Sequence, residues 1–253
     1  MIRSTLKEKA LKDTTPQFRF RGVDNTRIEA LSDGVFAIAT ALLVISSSIP
    51  ETYAELLHFI HDLVPFAICM ALLMLIWFQH YVFFIRYGFK DAKIVAVNTL
   101  LLFLILFYIY PLKFLMQLLY DMFGAMFTGN KAVFQQLFTE VIRMEDTPNL
   151  MVIYGLGAAS IFITLTIMYS IAYKRAEELE LTPVEKLLTK FSMQANLLMA
   201  AVPLVSSLFC LLPIQPNLAF TVGGFIYWAY PVVMIPFSIR NRKLLSKINL
   251  NIK

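Results

Sequence analysis

RIEALSDGVFAIATALLVISSSIP, residues 27–50, decides how the rest of the chain is read. A run from Gly34 to Ile45 is as apolar as the interior of a bilayer, yet Arg27, Ser32 and Asp33 stand at its mouth, and Thr40 lies inside it. A charge at membrane depth costs at least a few kcal/mol unless it meets a partner or water. Polar residues here therefore imply partners on neighbouring helices or an aqueous path.

The whole chain has the same character. Of its 253 residues, 58% are hydrophobic and only 15% are charged, against about 25% charged in an ordinary soluble domain. The excess falls in runs of about 20 residues, the length that crosses a hydrocarbon core of about 30 Å. No two-residue alternation of a membrane β-barrel is present. The sequence predicts an all-α integral membrane protein with six transmembrane helices, at about 31–49, 61–84, 94–117, 149–172, 193–213 and 217–238. The opening residues are charged and carry no signal-peptide core. Cys69 and Cys210 both fall within apolar spans, as packing residues rather than a disulfide framework.

Basic residues give the orientation. Arg3, Lys7, Lys9, Lys12, Arg19, Arg21 and Arg27 precede the first span. Arg86, Lys90 and Lys93 follow the second, Lys174, Arg175, Lys186 and Lys190 lie between the fourth and fifth, and Arg240, Arg242, Lys243, Lys247 and Lys253 follow the sixth. Only Lys113, Lys131 and Arg143 fall on the opposite side. The positive-inside rule then makes both termini cytoplasmic. The expected organisation is a tail over 1–30, a six-span domain over 31–239 and a second tail over 240–253. The net charge of +5 is accounted for by this asymmetry, with no nucleic-acid partner. The long outer link, about 118–148, contains KAVFQQLFTEVI, whose Val133, Phe134, Leu137, Phe138 and Val141 recur at helical spacing. Either an interfacial helix or a capping loop helix fits it.

This topology places Asp33 and Ser32, Trp77 and His80, and Asn98 at a similar depth on three successive spans. Trp77 and His80, three residues apart, share a helix face. Hydrogen bonding among these groups would offset the cost of burying them. Two roles fit: a clamp fixing the first span against the next two, or a gate or proton relay through Asp33 and His80. At about 100° per residue from Ile38, Gly34 lies at about −40°, Ala41 at about −60°, Leu42 at about +40° and Ile45 at about −20°. Thr40, at about 200°, points the other way, and Ser46 and Ser48 flank the stripe. Such a face either packs on neighbouring helices or lines a pore with a hydrophobic constriction. No single span is polar enough to line a path alone, so a conduit would be shared among copies around an axis.

Arg27 followed by Leu31-Ser32-Asp33, then Trp77 with His80, then Asn98 and Pro111, resemble the transmembrane protein 175 family, potassium channels first associated with endosomes and lysosomes. Leu31 stands where the family has Phe. The likeness is carried by the first three spans; the last three agree in number and hydrophobicity. It implies a potassium channel architecture without a P-loop filter, assembled for a single-repeat, bacterial-type chain as a homotetramer in the inner membrane. It also implies a pore lined by the first span, with Ile38 as the aliphatic constriction and Ala41, Leu42 and Ile45 continuing the stripe. Arg27, Ser32, Asp33, Trp77, His80 and Asn98 would form the interlocking network, which favours the clamp. Potassium and other monovalent cations would pass without a cofactor. The family's threonine eight residues after the aspartate is Ala41 here, so weakened discrimination of potassium from sodium is expected.

Other motifs carry less. Glu55, His58, His61 and Asp62 have partial metal-ligand spacing without a closed ligand set, and a helix end at the interface explains them better. Tyr227, Trp228 and Tyr230 are expected to pack rather than form a cation cage. No catalytic or metal site is assigned, and no nucleophile or phosphate-loop motif is present. A secondary transporter would carry matching helix breaks in two halves. Pro203, Pro213, Pro231 and Pro236 interrupt only the later spans. A proton-permeable leak is a further alternative.

Overall fold

The structure, a computed structural model, describes residues 18–22, 24–45 and 50–252, with the side chains of Ile45, His58 and the last five of these left out. Ser46, Ser48 and the basic residues before Phe18 lie outside the described residues, as does Lys253. Among the described residues all regular structure is helical. The helices are α1 (Arg27–Ile45), α2 (Tyr53–His61), α3 (Leu63–Tyr87), α4 (Ala92–Thr128), α5 (Lys131–Gln136), α6 (Thr147–Lys174), α7 (Pro183–Cys210), α8 (Pro216–Ile226) and α9 (Ala229–Ile252). Five stretches are long and apolar enough to cross a membrane: Tyr53–Tyr87, Ala92–Thr128, Met144–Lys174, Pro183–Cys210 and Pro216–Lys247. The 19-residue α1 is not among the five.

Local chemistry sets the helix ends. Gly88 closes α3 in the left-handed region (φ 62°), its N–H reaching Phe84 O at 2.8 Å. Asp91 then caps α4, accepting from the amides of Lys93 and Ile94. Thr182 and Glu185 open α7 with a reciprocal capping box. Prolines explain two further features. Pro203 lacks the N–H that would bond Met199 O, and the Tyr230 hydroxyl donates to that carbonyl instead, at 2.9 Å. The expected last span is broken after Ile226 and resumes at Ala229, placing Pro231 in the first turn of α9, where a missing N–H costs nothing.

The helices α6 and α7 form the most extensive pair. A Cβ at Gly155 would sit 2.0 Å from Ser207 Oγ and 2.7 Å from Pro203 O, so their close approach requires glycine there. The main core joins α1, α3, α4 and α6 through Phe36, Leu43, Leu73, Phe83, Ile94, Leu101, Leu165 and Met168. The outer link differs from expectation at its start, because α4 continues through 118 to Thr128. Leu137 and Ile142 fold back to bury Leu118, Phe138 is half-buried beside them, and Val133, Phe134 and Val141 stay exposed. The segment of 37 residues is about 55 Å long, well beyond a hydrocarbon core of about 30 Å.

The segment ahead of α1 is strapped to the bundle. Gly22 N donates to Ile85 O at 3.0 Å, and any side chain there would strike Phe84 O. Arg21 makes two hydrogen bonds to the Glu185 carboxylate (2.9 and 3.1 Å) and one to Leu179 O (2.8 Å). Glu185 also accepts from the Arg19 and Thr182 amides. Its side chain is 1% exposed and that of Arg21 12%. Breaking a buried pair from one side leaves an uncompensated charge. Arg21→Ala is therefore expected to destabilise the protein by about 3 kcal/mol, read as a lower midpoint in thermal unfolding of the purified protein; an unchanged midpoint would show that the strap carries no stability.

Candidate pore helix and polar network

α1 has two unlike faces. Ser32, Phe36, Ala39 and Leu43 recur at intervals of four, three and four and are buried against α3 and α4. Their directions centre on about 130° from Ile38 at 100° per residue, which puts the opposite face at about −50°. That is where Gly34, Ile38 and Ala41 lie, and all three are exposed, Ile38 by 55%. Leu42, on the flank, is half-buried. Ile45 ends the helix, and its side chain lies outside the described residues. Thr40 is half-buried, and its hydroxyl is used within the helix, donating to Phe36 O at 3.0 Å.

The buried face carries a directed hydrogen-bond chain. Ser32 Oγ donates to Ile28 O at 2.8 Å, so it must accept from Asn98 Nδ2 at 2.9 Å. With Nδ2 committed, Asn98 Oδ1 can only accept, and His80 Nε2, 2.8 Å away, carries the proton. All three side chains are at most 2% exposed. Phe36 of α1 and Phe84 of α3 pack against the imidazole ring with centroids at 5.6 and 4.7 Å. Alongside, Trp77 Nε1 donates to Asp33 Oδ1 at 2.9 Å while its ring stacks on Tyr81. Arg27 lies apart from this set. It is exposed in the first turn of α1, and no described contact ties it to the other five.

Several interactions escape simple spacing arguments. The Thr182–Glu185 capping box is completed by Glu185, whose carboxylate also receives the strap. Tyr87 Oη and Thr189 Oγ1 meet at 2.8 Å in the buried α3–α7 contact, and Lys113 Nζ of α4 donates to Leu43 O of α1 at 3.1 Å. Neither has a sequence signal beyond a polar residue in an apolar run. Tyr227 and Tyr230 pack on each other, with centroids at 6.1 Å, and Trp228 is exposed. Among the described residues no three His, Cys, Asp or Glu side chains gather as a metal group.

Between the spans, Arg175 bridges Asp91 and Glu178. Partial burial alone would raise the Asp91 pKa, but the Arg175 guanidinium and the α4 amides outweigh it and hold the carboxyl below its usual range.

This is an all-helical membrane protein whose buried polar side chains hold helices to one another. Residues 27–108 match the family described as endosomal/lysosomal potassium channel TMEM175. A protein of Marivirga tractuosa named as a potassium channel is 45% identical over 241 residues, 91% of this chain and 95% of its own length. The crystal structure of the potassium channel MtTMEM175, solved as a threonine-to-alanine variant with a nanobody–MBP fusion, superposes with a TM-score of 0.81 at 44% identity, covering 90% of this chain and 98% of that one. The chain belongs to the TMEM175 family, a family of channels and not of enzymes.

The directed chain has a measurable consequence. In Asn98→Leu, His80 Nε2 and Ser32 Oγ lose their shared partner, at a cost of about 1–3 kcal/mol for each buried group left unsatisfied. Asn98→Leu is expected to lower the thermal midpoint clearly. Thr99→Leu, an exposed neighbour whose hydroxyl bonds only its own helix, is the control and should change little.

Proposed function

We propose that the chain is a potassium channel of the bacterial inner membrane, a homotetramer whose central pore is lined by four copies of α1. On this reading α1 is the sixth span, both termini are cytoplasmic, and a channel domain over 31–239 sits between tails at 1–30 and 240–253. The carrying observation is the pair of faces on α1. Its polar and bulky side is spent on α3 and α4, while Gly34, Ile38 and Ala41 are left exposed on one stripe. Ile38 forms the aliphatic constriction, and Ala41, Leu42 and Ile45 continue the wall. A constriction of this kind gates by dewetting.

Ser32, Asp33, Trp77, His80 and Asn98 act as the clamp that sets the rotation of α1, with Arg27 at its entrance. The direction of the chain supports this over a relay, because it ends on a backbone carbonyl, Ile28 O, which has no proton to pass on. Potassium and other monovalent cations are the conducted species, and no cofactor takes part. The named activity of the 45% identical relative supports potassium as the principal ion.

Ala41 offers no hydroxyl to the stripe, and the nearby Thr40 hydroxyl is engaged with Phe36 O. Selectivity for potassium over sodium is therefore weak. The purified protein in a planar bilayer with potassium on one side and sodium on the other is expected to reverse near zero. Ala41→Thr should move the reversal potential toward that of potassium. An unchanged reversal potential would contradict the role given to this position.

A further inference from the structure

Lys113 lies on the side of the membrane opposite almost all the other basic residues. Rather than extending to solvent it is half-buried in α4, and its Nζ donates to Leu43 O, in the last turn of α1. The final four carbonyls of a helix lack intrahelical donors and carry the negative end of its dipole. Asp62, at the α2–α3 junction, is close enough to act on Lys113 electrostatically. The Asp62 side chain is 22% exposed, and its carboxylate stands 3.8 Å from His61 Nδ1. His61 in turn contacts the Tyr120 ring, and Asp121 is held by Gln117 one turn further along α4. The end of α1 away from the Ser32–Asn98 chain thus carries a lysine of α4 on one of its carbonyls, with Asp62 acting on that lysine.

We infer that Lys113, pinned to the last turn of α1 and balanced by Asp62, is a fixed charge that sets how readily cations enter the pore from that end. This rests on the proposed lining of the pore by α1. Leu43 is on the buried face of α1, so Lys113 stands behind the pore wall, about one helix diameter of 10 Å from the axial side. Its field reaches an entering cation at 0.01 M salt, where the Debye length is about 30 Å, and not at 1 M, where it is about 3 Å. Lys113 opposes entry, and Asp62 offsets much of that opposition. The pair is a device for tuning entry and does not ligate the ion.

The test is single-channel recording of the purified protein at one fixed pH, in 0.01 M and 1 M potassium chloride. At low salt, Lys113→Met is expected to raise the current entering from the α1 C-terminal end about two- to fivefold. Asp62→Asn should lower it, and Lys113→Arg should leave it unchanged. At 1 M all three should match the parent protein. Equal effects at both salts, or Lys113→Met and Asp62→Asn shifting current in the same direction, would overturn the inference. Ile38→Ala serves as the separate check on the pore. If it changes unitary current while the lysine variants show no salt dependence, only the Lys113 inference falls. If it leaves current untouched, the α1 reading falls first.

Discussion

The structure hangs on the two hydrogen bonds of one amide. Asn98 is almost fully buried and joins α4 to α1 through Ser32 and to α3 through His80. Because Ser32 has already given its proton to Ile28 O, the amide has a single workable orientation and the histidine a single workable proton position. Three helices are thereby fixed in rotation as well as in position. A purely apolar contact would specify the rotation of α1 less sharply, since lipid and leucine are nearly equivalent neighbours. A directed polar contact does not allow this.

Fixing the rotation of α1 decides what it shows to the outside. Phe36, Ala39 and Leu43 follow Ser32 into the core, and Gly34, Ile38 and Ala41 are left facing away from it. The same economy recurs elsewhere. Tyr230 fills the donor gap made by Pro203, Gly155 lets α6 and α7 close on each other, and Glu185 collects four donors in capping α7 and holding the strap. The Tyr230 bond in particular satisfies a carbonyl that would otherwise be costly inside a bilayer.

Much of this was legible in the sequence. Helical class follows from composition, because lipid leaves few other solutions. The partnership of Ser32, Asp33, Trp77, His80 and Asn98 follows from comparing depths across three spans. The two faces of α1 follow from angular position alone, and that count separates Thr40 from the stripe. Other features were not legible. The break between Ile226 and Ala229 depends on Pro231 taking a first-turn position, and a hydropathy average does not distinguish that from a kink. The continuation of α4 past 118, where Leu137 and Ile142 fold back to cover Leu118, has no marker in a hydropathy average. The Arg21–Glu185 pair joins residues 164 apart, and among the described residues no hydrogen bond or ion pair ties Arg27, which the motif groups with the network, to it. Long-range pairing of this kind has no periodicity to reveal it.

The central claim is that α1 turns Ile38 and Ala41 toward a conduction path and Ala39 and Leu43 away from it. The direct measurement is thiol accessibility in functioning channels, with single cysteines at these four positions in a background of Cys69→Ser and Cys210→Ser, both natural cysteines being buried. A small charged thiol reagent applied during recording is expected to alter current through the Ile38→Cys and Ala41→Cys channels and to leave Ala39→Cys and Leu43→Cys unaffected. Equal modification at all four positions, or modification only at Ala39 and Leu43, would contradict the account.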